Sequence, residues 1–121
     1  MKRILVTGAA GQIGSELTIA LRRVYGEANV IAADRRQPDH ELLQSGPFSS
    51  IDVRDAASLE QAACTYRVDT IFHLASVLSV VAEQKPQLAW DINMGGLHKV
   101  LETARQYFCA VFFPSSIGAF G

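Results

Sequence analysis

Near the amino terminus a short apolar run breaks into evenly spaced glycines, and a helical period follows. No other feature limits the possible folds of this chain as tightly. Lys2 to Thr7, with the branched apolar residues Ile4, Leu5 and Val6 in succession, reads as a strand covered on both faces. Gly8, Gly11 and Gly14 follow at spacing three and three. From Gln12 to Tyr25 the apolar residues Ile13, Leu17, Leu21 and Val24 predict a helix packed through that stripe, with Gly26 as its C-cap. In such a turn the first glycine permits a tight bend. The second lets the backbone approach a pyrophosphate, and the third lets the helix lie close on the strand. The amides that open the helix, those of Gln12 and Ile13 among them, face a phosphate with a partial positive charge behind them.

An isolated glycine triplet is weak evidence, but here an acid lies twenty residues past the last glycine. Asn29 to Ala33 reads as a second buried strand, and Asp34 closes it, where a carboxylate accepts two hydrogen bonds from an adenosine ribose. The turn plus Asp34 therefore predicts a dinucleotide site. A 2′-phosphate is repelled by Asp34, which favours NAD over NADP, although Arg35 and Arg36 stand next to it and attract such a phosphate.

The rest of the chain alternates in the same way. Arg35 to Gly46 reads as loop with room for one helical turn. Phe48 to Val53 is a third strand, and Asp55 caps a helix over Ala56 to Tyr66 that turns Leu59, Ala62, Ala63 and Tyr66 to one side. Asp69 to Leu74 is a fourth strand and Ala110 to Phe113 a fifth. Between them Pro86 starts a long helix to about Tyr107. That helix carries two apolar stripes, Leu88, Ile92, Val100 and Ala104 on one side and Trp90, Met94, Leu97, Leu101 and Phe108 on the other, so it needs two partners. Strand–helix alternation with right-handed crossovers predicts an α/β, Rossmann-like doubly wound parallel sheet of order 3-2-1-4-5, a single NAD-binding domain over residues 1–121.

Composition excludes several other classes. The chain has 121 residues, 49% hydrophobic, with 11 basic and 12 acidic side chains, which supports one core and leaves no electrostatic footprint for nucleic acid or an anionic membrane. No apolar run approaches the ~18 residues of a membrane span. Met1-Lys2-Arg3 enters a strand and not a leader peptide. Cys64 and Cys109 form no disulfide scaffold and lack metal-ligand spacing. They read as small core residues in a reduced, cytoplasmic protein. His73 reads as a strand-end histidine with a local hydrogen bond, His40 and His98 as surface residues, and Glu83 as a solvated loop acid.

With these residues in view, the chain resembles the extended short-chain dehydrogenase/reductase superfamily, the NAD-dependent epimerases and dehydratases, over its whole length. The resemblance is carried by Gly8-x-x-Gly11-x-x-Gly14, Asp52-Val53, His73-Leu74-Ala75-Ser76, Asp91-Ile92-Asn93-Met94-Gly95-Gly96 and Phe113-Pro114-Ser115-Ser116-Ile117-Gly118-Ala119-Phe120-Gly121. It implies that Asp52 and the backbone of Val53 contact adenine, that Leu74, Ala75 and Ser76 line the cofactor, and that Asn93 stands beside it near an active-site water path. For Asn93, a plain buried polar role is the other reading. Adjacent glycines inside a helix cost roughly 1 kcal/mol each, which close approach of another backbone at Gly95-Gly96 rationalises.

Within the superfamily, Gly46-Pro47-Phe48, Ser76 to Glu83 and the stretch ending in Ala119-Phe120-Gly121 resemble the short-chain L-threonine 3-dehydrogenases; nucleotide-sugar epimerases and dehydratases usually carry Val-Tyr-Gly there. The resemblance implies oxidation of L-threonine to 2-amino-3-ketobutyrate with hydride transfer to NAD. Ser116 would hold the substrate oxygen as the catalytic hydroxyl and Ser115 would contact the cofactor. Ser76 and Ser79 would lie near nicotinamide ribose or substrate. The alternatives are an NAD-dependent nucleotide-sugar epimerase or dehydratase and, in another class, an inactive dinucleotide-binding module. The family's Tyr-x-x-x-Lys pair is absent: Tyr25, Tyr66 and Tyr107 are followed four residues on by Asn29, Thr70 and Val111. The 121-residue polypeptide is therefore expected to be the amino-terminal part of a dehydrogenase, inactive alone and prone to self-association, from a parent that is a homodimer.

Overall fold

The computed structural model describes residues 2–75 and 83–113. Five strands, β1 (Ile4–Thr7), β2 (Val30–Asp34), β3 (Phe48–Ser50), β4 (Thr70–His73) and β5 (Ala110–Phe112), form one sheet of order β3-β2-β1-β4-β5. Every pairing is parallel, as expected; β1, β3, β4 and β5 are shorter than the runs that predict them, and β2 keeps its five residues, displaced by one. The register sets Thr7 opposite Ala33 on one side and His73 on the other, so the ends of β1, β2 and β4 meet at one edge. In an open parallel sheet the strand order reverses beside β1, and ligands bind outside the carboxyl ends there.

Helices cover both faces. Ile4, Val6, Val30 and Ala32 pack with Leu42, Ile19 and Leu21 under α1 (Gln12–Tyr25) and α2 (His40–Gln44). Leu5, Ile31, Ala33 and Ile71 pack on the other face with Leu59 and Ala63 of α3 (Ala56–Thr65) and with Val100 and Ala104 of α5 (Gly96–Tyr107). The continuous apolar run of β1 thus divides between two cores by the two-residue period of a strand. Asp55 caps α3 by accepting the Ala57 amide at 3.1 Å, and the Gly26 amide closes α1 on the Arg22 carbonyl.

The face of α1 differs from expectation. Its buried residues are Gly14, Thr18 and Arg22, whereas Ile13 and Val24 are 74% and 73% exposed. The missing side chain at Gly14 seats the helix on the sheet, so the stripe centred on that residue turns inward and takes two polar groups with it. Thr18 donates its hydroxyl to the Gly14 carbonyl at 2.7 Å. Arg22 donates to the carbonyls of Val30, Leu42 and Pro47 and to Ser45 Oγ, so its buried guanidinium staples α1 to β2 and to the α2–β3 connection.

The long helix is also modified. It starts at Pro86 as α4 (Pro86–Trp90), is wound as a π-turn over Asp91–Gly95 and continues as α5. Ile92, Val100 and Ala104 are buried, while Trp90, Met94, Leu101 and Phe108 of the second stripe are exposed. Of the paired glycines, Gly96 meets the loop after β3 first through a side chain and only then through backbone, with Val53 O 3.9 Å from a Cβ on Gly96. A Cβ on Gly96 would lie 2.6 Å from Val53 Cγ2, whereas at Gly95, among the described residues, only the Lys99 ammonium comes near, at 4.0 Å. Cys64 is exposed, contrary to the core reading, because the helical period that buries Leu59, Ala62 and Ala63 points it outward.

Candidate functional site

The site begins where β1 ends. Thr7 Oγ1 lies 2.8 Å from His73 Nδ1 and accepts the amides of Leu74 at 3.1 Å and Ala75 at 3.3 Å. Two amides use the hydroxyl's acceptor capacity, so its proton goes to Nδ1 and the neutral imidazole carries hydrogen on Nε2. Burial lowers the His73 pKa from 6.5 to about 4, which keeps that tautomer neutral. The histidine is a structural, hydrogen-bonded strand-end residue as expected, but its partner is not local: Thr7 lies 66 residues away in the chain.

This knot holds the segment after β4 against the glycine turn. Gly8 has φ +71°, and a Cβ there would lie 2.6 Å from both Ala75 N and Leu74 C. At Gly14 a Cβ would overlap the Gly8 carbonyl oxygen and approach its carbon to 2.9 Å. Both glycines are demanded by the chain's own packing. Gly11 is not. Its φ of −73° and ψ of 167° suit any residue, and among the described residues a Cβ would meet only the Gly8 oxygen, at an ordinary 3.4 Å. Among the described residues nothing else comes within 4 Å of that position, so the space beside Gly11 is kept clear.

The amides of the turn are arranged to match. Ala9 N donates to Ala33 O and Gly11 N to Gly8 O, and Ser15 N, bonded to Gly11 O at 2.8 Å, is the first amide to join the helical ladder. Among the described residues the amides of Gln12, Ile13 and Gly14 meet no protein acceptor, which is the normal state of a helix start and the chemistry that binds phosphate. Side-chain capping does not compete there, because the N-cap is a glycine.

Asp34 connects this turn to β2. Its Oδ2 accepts the Ala10 amide at 2.9 Å and its Oδ1 the Arg36 amide at 2.9 Å, while Arg36 Nε stands 3.8 Å away. The carboxylate is buried but retains lone pairs for two hydroxyls. Arg35 is exposed beside it. Beyond β3, Asp52 forms a bidentate pair with Arg54, Nε to Oδ1 at 3.0 Å and Nη2 to Oδ2 at 2.6 Å. That pairing holds the Asp52 carboxyl below its usual range. Val53, next to it, is buried in the core.

The structure thus gathers Gly8, Gly11, Gln12, Ile13, Gly14, Asp34, Arg35, Asp52, Val53, Leu74 and Ala75 along the carboxyl edge of β1 to β4. Asn93 lies half-buried in the π-turn. Ser76, Ser79, Ser115 and Ser116 fall outside the described residues. Two participants escaped the sequence reading. Thr7 is signalled only by a hydroxyl at the last strand position. Arg54 is signalled only by a base two residues after an acid. Among the described residues no group of His, Cys, Asp and Glu is placed to hold a metal, and no helix is long and apolar enough to cross a membrane. A cleft of about 490 Å³ lined by Ile19, Arg22, Arg23, Gly26 and Glu41 lies at the other end of α1, away from the turn.

Comparison with known proteins agrees with this geometry. The model of the NAD dependent epimerase/dehydratase family matches residues 4–121. An uncharacterized epimerase/dehydratase of Staphylococcus saprophyticus is 49% identical over all of this chain and 38% of that protein. The X-ray structure of L-threonine dehydrogenase from Clostridium difficile is similar with a TM-score of 0.93 and 56% identity, over 100% of this chain and 38% of that one. UDP-glucose 4-epimerase of Thermus thermophilus, in complex with NAD, gives 0.76 and 33% over 88% of this chain and 34% of that one. The chain thus spans 38% of the length of the curated relative named here.

Proposed function

We propose, given that this chain belongs to the NAD dependent epimerase/dehydratase family, that it is the NAD-binding portion of an oxidoreductase acting on L-threonine. The cofactor reading rests above all on Gly11. Among the described residues neither backbone strain nor packing requires a glycine there, and it heads a helix whose first amides meet no acceptor. A pyrophosphate is the group that needs both features. When bound, NAD supplies the hydride-accepting nicotinamide. This chain holds and orients it: the amides from Gln12 to Gly14 take the phosphates, Asp34 takes the adenosine ribose, and Asp52 with Val53 takes adenine. Leu74 and Ala75, fixed by Thr7, form the wall after β4. Asp34 discriminates against a 2′-phosphate by charge.

The substrate reading rests on likeness, 56% to an L-threonine dehydrogenase against 33% to a UDP-glucose 4-epimerase. In it Ser116 is the catalytic hydroxyl on substrate, Ser115 a cofactor contact, and Ser76 and Ser79 line the substrate side. A soluble homodimer in the cytoplasm is the matching assembly, with the Trp90, Met94 and Leu101 face covered by a second copy. The test is a substrate panel on the complete polypeptide, L-threonine against UDP- and dTDP-sugars, followed by NADH absorbance and by product analysis. NAD reduction with L-threonine is expected. Interconversion of a sugar nucleotide without reaction on L-threonine would establish the epimerase reading, which the likeness to the Thermus enzyme supports.

A further inference from the structure

The mid-helix glycine at position 96 lies against the loop that follows β3. Gly96 is buried on α5, immediately after the π-turn, and a Cβ built on it would stand 2.6 Å from Val53 Cγ2 and 3.3 Å from Val53 Cβ. Val53 has little room to yield. It is 5% exposed and packed in the core with Ile51, Leu59 and Ile92, and a β-branched side chain has few rotamers to exchange. Its neighbours on the chain are also tied: Asp55 N donates to Asp52 O at 2.8 Å, and Arg54 grips the Asp52 carboxylate. Glycine inside a helix is unfavourable, and its φ of −63° needs no glycine, so local conformation does not account for Gly96.

We infer that Gly96 is a positioning residue for the adenine-binding loop: its bare face lets α5 press on Val53 and so sets where Asp52 and the Val53 backbone meet the adenosine half of NAD. The inference rests on the NAD reading above and adds to it a residue that does not itself touch the cofactor. A methyl at position 96 displaces Val53 and tilts the Asp52–Val53 turn. The phosphate turn, held separately by Thr7, Ala33 and Asp34, stays in place. The effect must therefore divide the cofactor in two.

The experiment is calorimetric titration of the complete polypeptide with NAD, 5′-AMP and nicotinamide mononucleotide, on the wild type, Gly96→Ala, Val53→Ile and the double variant Gly96→Ala/Val53→Ala. Gly96→Ala and Val53→Ile are expected to weaken 5′-AMP and NAD about tenfold and to leave nicotinamide mononucleotide within twofold. The double variant, in which the obstructing Cγ2 is gone, is expected to recover most of the AMP affinity. Thermal melts run alongside register any general loss of folding, which weakens both half-ligands alike. Equal losses for both half-ligands, unchanged AMP binding in Gly96→Ala, or no recovery in the double variant would each overturn the inference. If the wild type binds neither NAD nor AMP, the cofactor reading itself fails, and this inference falls with it.

Discussion

Replacing Gly11 by alanine separates what the fold needs from what the ligand needs. At this position the new methyl group meets one carbonyl oxygen, at 3.4 Å, and the backbone angles are open to any residue. Two small terms then act on stability. Alanine is a poorer N-cap than glycine, by about 1 kcal/mol. It also loses less chain entropy on folding, a gain of about 0.4–1 kcal/mol. They nearly cancel, so the melting temperature of Gly11→Ala should stay within a few degrees of wild type. Gly8→Ala differs in both respects. It forces an L-residue to φ +71°, which costs about 1–2 kcal/mol, and presses a methyl into the backbone of Leu74 and Ala75 at 2.6 Å, an overpacking cost of about 1–3 kcal/mol. Its melting point should fall by about 10 °C or more. Binding should show the reverse order of information. A methyl on the clear side of the Gly11 turn lifts a phosphate off amides whose charge-assisted hydrogen bonds are worth about 1.5–3 kcal/mol each. NAD affinity should then drop at least tenfold in a protein that melts normally. Calorimetric titration and a melting curve on the same preparations decide it. Wild-type NAD affinity in Gly11→Ala, or a destabilisation equal to that of Gly8→Ala, would refute the assignment of the turn.

Asp34→Ala should weaken NAD about tenfold and improve NADP, because Arg35 and Arg36 remain; tighter binding of NADP than NAD by the unmutated protein contradicts the ribose assignment. His73 has a folded-state pKa of about 4 against 6.5 when unfolded, so the unfolded chain binds more protons between those values. Stability is then complete above about pH 6.5 and falls by about 3 kcal/mol as pH drops to about 4, and His73→Asn should flatten that slope in denaturant titrations across the range. Arg22→Met removes four hydrogen bonds, although Pro47 O keeps the Ala32 amide and Leu42 O the Ser45 hydroxyl, and a loss of about 3 kcal/mol is expected in urea unfolding; a neutral result would show that water replaces the guanidinium.

The amino-acid sequence alone determined the order of strands and helices, the parallel sheet, the glycine turn and the partnership of that turn with Asp34. These follow from local rules: an apolar run of strand length, a 3.6-residue period, and a fixed spacing between glycines and an acid. Tertiary structure decided which face each helix buries. Counting apolar residues selected Ile13, Leu17, Leu21 and Val24 on α1; Leu21 packs on the core, but Ile13 and Val24 face outward and the fully buried residues are Gly14, Thr18 and Arg22, because close approach at a glycine outweighs side-chain hydrophobicity in orienting that helix. It likewise decided that Thr7 and His73, 66 residues apart in the chain, form one hydrogen-bonded knot. It also set Gly96 against the Val53 side chain, with the Val53 carbonyl oxygen behind it. Such contacts depend on which residues the strand register and helix packing bring opposite one another, and no local pattern in the chain encodes that distance.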